Sequence, residues 1–362
     1  MQLDSLFTYD SVALNAAGDG VVIVDQTLLP GEERFLTLRD EHEVYEAIVK
    51  LRVRGAPAIG IAAAYGLYVA FRRAASEPGF DLTHARDEFY RLSRHLCSAR
   101  PTAVNLSAAL RRMERRFDSL AARLAFPELL EALRGEAEAI KAEDMAMCRS
   151  IAGFGAELIS RPGMGILTHC NAGHYAVSRY GTALAPIYLA QSRGMAPRVY
   201  VDETRPLMQG ARITAFELQK AGVDVTLQCD NMAASLMASG KIDLVLTGCD
   251  RVAANGDTAN KIGTSALAVL ASYYHIPFYI LGPTSSIDPT TVSGADIPVE
   301  QRGEDEVTEL YFRKRIAPEG VKVYNPAFDI TPASLISGIV TEKGVFRYPY
   351  DFSDLKQKDL AL

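Results

Sequence analysis

Apolar positions are patterned differently in the two halves of the chain. In the second half, short apolar runs at 165–168, 198–201, 223–227, 244–247 and 278–281 alternate with segments of helical spacing. Those segments begin near Tyr180, Gln209, Met232 and Lys261. Strand-helix alternation of this kind predicts a parallel sheet with helices on both faces. In the first half, one β-branched run at 20–24 predicts a strand, followed by the turn Leu29-Pro30-Gly31-Glu32. Between residues 42 and 52, Val44, Ala47, Ile48 and Leu51 recur at helical spacing. Residues 57–73 are apolar or small on nearly every face, which predicts a buried helix with Pro57 in its first turn. Further helices are expected over about 83–97 and 106–120. The Glu- and Ala-rich stretch from 127 to 160 reads as a long helix interrupted near Gly153 and Gly155. Residues 284–332 read as loop-rich, Ile330-Thr-Pro-Ala-Ser334 as a helix start, and the tail after Tyr348 as exposed.

The fold class expected from these patterns is α/β. A mainly helical N-terminal domain over 1–130 and a helical connector over 131–160 precede a Rossmann-like parallel-sheet domain over 161–362. A length of 362 residues accommodates two domains, and 48% hydrophobic with 23% charged residues is ordinary for a globular chain. The net charge of -6 argues against nucleic acid as the main partner. It leaves room for an anionic small molecule, which needs only a local basic pocket. The 5 cysteines show no Cys-x-x-Cys spacing and fit a reducing compartment better than a disulfide framework. The N-terminus lacks the basic-then-apolar pattern of a signal peptide, and no apolar run approaches the ~20 residues that span a bilayer. The expected setting is the cytoplasm, without a membrane partner.

Candidate chemistry concentrates in the stretch 244–264. An apolar strand breaks at Gly248, presents Asp250 and Arg251, crosses the polar turn Asn255-Gly256-Asp257, and enters a helical pattern after Asn260-Lys261. Ligands of open α/β sheets sit outside the carboxyl ends of strands, and helix N-termini favour anions. A carboxylate and an anion-binding helix start in one loop therefore point to chemistry on a phosphorylated small molecule. The apolar run before Asp250 implies partial desolvation, which would favour its protonated form and let it donate a proton. The plainer alternatives are that Asp250 pairs with Arg251, Asn260 caps the next helix, and Lys261 is a solvated surface lysine.

The first strand of the second half ends in Thr168-His169-Cys170-Asn171, so Cys170 occupies the position in its strand that Asp250 occupies in its own. Cysteines without disulfides are often small buried hydrophobes, but a filler needs no polar loop around it. Asp202-Glu-Thr-Arg-Pro206 follows another strand and could line the pocket or form a structural ion-pair network. Arg54 and Arg100 could supply phosphate contacts, for which the guanidinium fork is well matched. His169 and His174 flank Cys170, but no second cluster has ligand spacing, so no metal site is expected. A Walker A loop is absent, as is a Gly-x-Gly-x-x-Gly fingerprint after the first predicted strand, which argues against a nicotinamide dehydrogenase.

Several blocks resemble the methylthioribose-1-phosphate isomerases, a family shared with the alpha, beta and delta regulatory subunits of the translation-initiation exchange factor. They are Val53-Arg-Gly-Ala-Pro-Ala-Ile-Gly60, Ala99-Arg-Pro-Thr-Ala-Val-Asn-Leu106, Thr168-His-Cys-Asn171, Glu203-Thr-Arg-Pro206, Gln209-Gly210, Asp250-Arg251, Gly256-Asp-Thr-Ala-Asn-Lys261 and Asn325-Pro-Ala-Phe-Asp329. They occur in order across nearly the whole chain. The resemblance implies conversion of 5-methylthioribose 1-phosphate to 5-methylthioribulose 1-phosphate in methionine salvage, by a homodimer needing no metal or organic cofactor. It assigns catalysis to Cys170 and Asp250, and substrate binding to Arg54, Gly55, Ala56, Arg100, Gln209, Asn260 and Lys261.

This chain departs from that pattern at Cys148, at Cys249 and at Ala172-Gly173-His174-Tyr175, where the family often carries smaller residues. If His174 or Tyr175 reaches the sugar's 5-substituent, a 5-deoxyribose 1-phosphate isomerase is the alternative within the family. A sugar-phosphate- or nucleotide-sensing module is the alternative outside catalysis, although such relatives generally lack the Cys-Asp pair. A ribose-1,5-bisphosphate isomerase would need a second basic cluster, and no motif supplies one.

Overall fold

The computed structural model describes residues 3–80, 84–100 and 103–355. Outside them lie the first residue of the helix expected from 83, Pro101-Thr102 of the arginine-proline block, and the end of the tail. The chain divides into two compact units, one formed by Phe7–Cys148 with Gly173–Gly181, the other by Arg149–Ala172 with the residues from Thr182 onward and the N-terminal few.

The first unit is mainly helical. It opens with an antiparallel three-stranded meander, β1 (Val12–Leu14), β2 (Val21–Val24) and β3 (Phe35–Leu38). Only β2 is legible in sequence, because β1 is three residues long and β3 is largely exposed. Helix α1 (Glu41–Val49) starts where Asp40 accepts the Glu43 amide at 2.9 Å, an ordinary N-cap. Helix α2 (Ala56–Ala74) is buried from Ala58 to Phe71, as its apolar composition requires. Around it pack α3 (Ala85–Cys97), α4 (Val104–Leu120) and the start of α5 (Phe126–Ala156). Phe71 meets Phe89 edge-on at 5.0 Å, and Phe89 stacks on Phe117 at 4.5 Å. The interruption expected at Gly153 and Gly155 does not occur, since α5 runs through both to Ala156. Gly155 serves packing instead, because a side chain there would overlap Pro186.

The second unit carries, in chain order, β4 (Gly165–Thr168), α6 (Ala185–Ser192), β5 (Arg198–Asp202), α7 (Ala215–Lys220), β6 (Asp224–Gln228), α8 (Ala233–Ala238) and β7 (Leu244–Thr247). Then follow β8 (Arg251–Ala253), β9 (Thr258–Lys261), α9 (Thr264–Tyr273), β10 (Phe278–Leu281), β11 (Ile287–Asp288), α10 (Asp305–Thr308), β12 (Phe328–Thr331), β13 (Gly338–Thr341) and β14 (Gly344–Phe346). The main sheet has the order β14-β13-β10-β7-β4-β5-β6. Its neighbours are parallel except β14, which adds antiparallel to β13. Counted along the chain, the parallel strands run 3-2-1-4-5-6, and the order reverses between β4 and β7. Strands β4, β7, β10 and β13 are buried at every position, which is why they read as continuous apolar runs rather than alternating ones.

The largest departure from expectation lies between Asp250 and α9. The stretch read as loop and helix entrance forms the β8–β9 hairpin, the centre of a second sheet of order β11-β8-β9-β12. Asn260 and Lys261 therefore sit on a buried strand, and α9 begins only at Thr264 after Gly263 at φ 105°. The helix expected near Tyr180 starts at Ala185. Ile330-Thr-Pro-Ala-Ser334 forms β12 and a single 3-10 turn, not a longer helix. The tail is not wholly exposed either, since Phe352 is buried and the Tyr350 hydroxyl donates to the Ile336 carbonyl at 2.8 Å.

Candidate active site

Strands β4 and β7 are hydrogen-bonded neighbours, with Ile166 opposite Leu244 and Leu167 opposite Val245. Cys170 follows the carboxyl end of β4 and Asp250 that of β7, so the two flank the point where the strand order reverses. In sheets of this order the crevice at that point is where ligands bind. Cys170 is half-buried, not a buried filler, and its backbone is left-handed, at φ 63°. A residue with a side chain held there stores about 1–3 kcal/mol. The Cys170 amide donates to Thr204 Oγ1 at 2.8 Å, and its carbonyl accepts from Thr214 Oγ1 at 2.6 Å.

Asp250 is exposed, contrary to the desolvation expected from the apolar run before it. The strand is buried, but the residue projects beyond it, and its amide donates to the Ala259 carbonyl at 2.9 Å. Arg251 turns to Asp288, Nη1 to Oδ2 at 3.5 Å.

Beside Cys170 a buried pair forms. His169 Nδ1 lies 3.0 Å from Asp202 Oδ2, and Nε2 lies 2.8 Å from the Ile262 carbonyl. Both ring nitrogens face oxygen atoms, an arrangement that suits a ring protonated at both. Burial alone would push the imidazolium down, but the hydrogen bond and charge of Asp202 outweigh it and hold its affinity for the proton above the ordinary value. Gln228 Nε2 donates to the other Asp202 oxygen at 2.8 Å. With Nε2 committed to a carbonyl, His169 is not placed to take a proton from its neighbour Cys170. Of the two readings of the Asp202 segment, Asp202 itself follows the structural one. His169, Asp202 and Asp230 bring ligand atoms within 4.8 Å of one another, a spacing a metal could use. Their acceptors are engaged inside the protein, however, and Asp230 accepts the Thr204 and Arg205 amides, each at 2.7 Å.

A second buried network holds the next residue. Asn171 Nδ2 donates to Thr214 Oγ1 at 2.9 Å and to Glu217, whose other oxygen accepts the Tyr188 hydroxyl at 2.7 Å. Sequence reasoning missed Thr214 and Glu217, which lie in helical turns without a motif. A buried glutamate inside an otherwise ordinary helix leaves no sequence signal.

Of the binding candidates, Gln209, Asn260 and Lys261 belong to the same unit as Cys170 and Asp250. Gln209 is buried, and its Oε1 has no hydrogen-bond partner among the described residues. Asn260 is buried and donates to Thr264 Oγ1 at 2.9 Å, a side-chain contact, so the plainer alternative of a helix cap does not hold. Lys261 is not a solvated lysine. It is buried, Nζ donates to the Ala327 carbonyl at 3.1 Å, and it lies 4.5 Å over the Phe328 ring. Paired strands bring Asp250 alongside Ala259, and so next to Asn260.

Arg54, Gly55, Ala56 and Arg100 belong to the helical unit. Arg54 is buried, and Gly55 precedes α2 at φ 95°, where a side chain would overlap the Ala176 backbone. Ala56 is the first residue of α2, and Arg100 is half-buried after α3. His174 and Tyr175 are also buried there, among Phe7, Tyr9 and Glu33. The Tyr175 hydroxyl lies 2.7 Å from that of Tyr9 and donates to Glu33 at 2.8 Å.

A 3-2-1-4-5-6 parallel sheet with helices between its strands defines an α/β protein of the doubly wound type. More narrowly, the chain belongs to the initiation factor 2 subunit family, whose model matches residues 52–348. It is 59% identical over 332 residues to a methylthioribose-1-phosphate isomerase of Parabacteroides distasonis, covering 92% of this chain and 98% of that one. It is 56% identical over 339 residues to a 5-deoxyribose 1-phosphate isomerase of Petrotoga mobilis, covering 94% and 96%. Among solved structures, that of a 5-methylthioribose 1-phosphate isomerase from Pyrococcus horikoshii OT3 superposes with a TM-score of 0.89 at 39% identity, covering 96% of this chain and 95% of that one.

Proposed function

We propose that this chain is an aldose-ketose isomerase converting 5-methylthioribose 1-phosphate to 5-methylthioribulose 1-phosphate, a step of methionine salvage, as a cytoplasmic homodimer. The observation that supports the reading is that Cys170 and Asp250 follow the carboxyl ends of the paired strands β4 and β7, where the strand order reverses, in a chain 59% identical to a relative of that name. No helix among the described residues is long and apolar enough to cross a membrane.

The substrate's anomeric carbon carries phosphate, so its ring does not open as a free sugar's does. A group must protonate the ring oxygen while the phosphate stays attached, and Asp250 is that group. Hydrogen then moves from C2 to C1. Cys170 serves either as the base of an enediol route or as the polarising group beside a hydride shift. Its thiolate form is the better base, and local environment tunes how much of it exists. Lys261, Asn260 and Gln209 hold the sugar phosphate, and the family resemblance assigns substrate binding to Arg54, Gly55, Ala56 and Arg100 as well.

The second reading is the 5-deoxyribose 1-phosphate isomerase, favoured by the nearly equal identity to the Petrotoga mobilis relative. The test is ketone formation by the purified protein from both sugar phosphates side by side. Faster turnover of the methylthio sugar is expected. Preference for the deoxy sugar moves the assignment to the second reading, and no ketone from either removes both.

A further inference from the structure

Three rare backbone features meet at the carboxyl ends of β4 and β5. Cys170 is left-handed at φ 63°, and so is Thr204 at φ 64°. Between Thr204 and α7 the chain makes a π-helical turn, Gly210–Thr214. Left-handed residues other than glycine and π-turns are both uncommon, and both concentrate at functional sites. Hydroxyl groups join the three. Thr204 Oγ1 accepts the Cys170 amide at 2.8 Å while donating to the Asp202 carbonyl at 2.9 Å. Thr214 Oγ1 donates to the Cys170 carbonyl at 2.6 Å while accepting from Asn171 Nδ2 at 2.9 Å. Both threonines are fully buried.

Each hydroxyl uses its single proton in one direction and a lone pair in the other, so the roles are fixed. Each is fastened from behind as well. The Thr204 amide is held by Asp230, and the π-turn begins at Gly210, where any side chain would overlap the Asp202 carbonyl. Thr204 lies outside the strands and helices and Thr214 closes the π-turn, and neither backbone position needs a side-chain hydroxyl for its own pairing.

We propose that Thr204 and Thr214 are positioning residues that hold the Cys170 peptide from both sides and keep its thiol in the geometry the isomerisation uses. The inference rests on the reading of Cys170 as a catalytic residue. Left-handed geometry turns the chain sharply away from β4, and the two hydroxyls, one on the amide and one on the carbonyl, oppose the return of that residue to an extended conformation. A displacement of ~1 Å at a reacting group costs on the order of 100-fold in rate.

The experiment compares Thr204→Val, Thr214→Val, Thr204→Ser and Thr214→Ser in the full-length protein. Ketone formation gives kcat and KM, and iodoacetamide alkylation of Cys170, followed by peptide mass spectrometry across pH, gives thiol reactivity. Valine keeps the volume and removes the hydroxyl. The expected result is a kcat loss of ~10-fold or more for each valine variant, KM within ~3-fold, and a shifted pH profile of Cys170 alkylation. The serine variants are expected to recover most of the turnover. Wild-type kcat and alkylation in both valine variants would overturn the inference while leaving the isomerase reading intact. If the wild-type protein itself makes no ketone, that reading fails, and the alkylation profiles alone decide the bracket. Should a valine chain not fold, the alanine variant is read in the same way, and hydrogen exchange of the wild-type Cys170 amide stands behind both. Slow exchange is expected, and a freely exchanging amide would overturn the bracket.

Discussion

Asp144 is buried on α5 with the Ser178 amide 3.3 Å from its carboxylate. Burial disfavours its charge, and that one long hydrogen bond offsets little, so the carboxyl is pushed up from 3.8 to about 7. A folded-state value above the unfolded one means stability is full below about 3.8 and is lost as pH rises through about 7. The loss is about 1.4 kcal/mol per pH unit over that window. Asp144→Asn keeps an acceptor for Ser178 without the charge. In urea titrations its stability advantage over wild type should be larger at pH 8 than at pH 5, and an equal gap at both would remove the effect. Lys261→Met tests another buried charge, with an expected rise in KM of ~10-fold, about 1.4 kcal/mol of binding, and unaltered thermal unfolding. Sequence singled out Cys170, Asp250 and Lys261 by type and position. It could not tell that Asp250 is exposed or that Lys261 is buried, because both depend on where the β8–β9 hairpin folds back.

At the level of elements, continuous apolar runs exposed the central strands β4, β7 and β10 because both faces of those strands are covered. The hairpin stayed hidden because Thr258-Ala-Asn-Lys261 is a fully buried strand built of polar and small residues. Its one sequence signal was Asn255-Gly256, a hairpin dipeptide, which read as a turn without its flanking strands. The π-turn carries no signal of its own beyond Gly210. Gly210→Ala should destabilise by about 1–3 kcal/mol, since the added carbon would overlap the Asp202 carbonyl. Gly135→Ala, exposed on α5 with nothing within 4 Å of the added carbon, should stabilise by about 0.8–1 kcal/mol. Chemical denaturation of the two variants beside wild type checks both signs.

For the molecule as a whole, the alternation of strand and helix was enough to foresee a helical portion followed by a parallel sheet, and the family model and solved relatives agree with it. The strand order was not legible. Pairing between β4 and β7 joins segments some eighty residues apart, and no local pattern encodes it. Nor does local pattern reveal that Gly173–Gly181, directly after the Cys170 loop, belongs with the helical unit. Yet that pairing puts Cys170 and Asp250 after the ends of neighbouring strands, an arrangement on which the proposed reaction depends. The most direct measurement is kcat for ketone formation from 5-methylthioribose 1-phosphate by Asp250→Asn and by Cys170→Ala, each confirmed as folded by circular dichroism and thermal unfolding. The expected result is a loss of ~100-fold or more for each. Near wild-type turnover by either folded variant would contradict it.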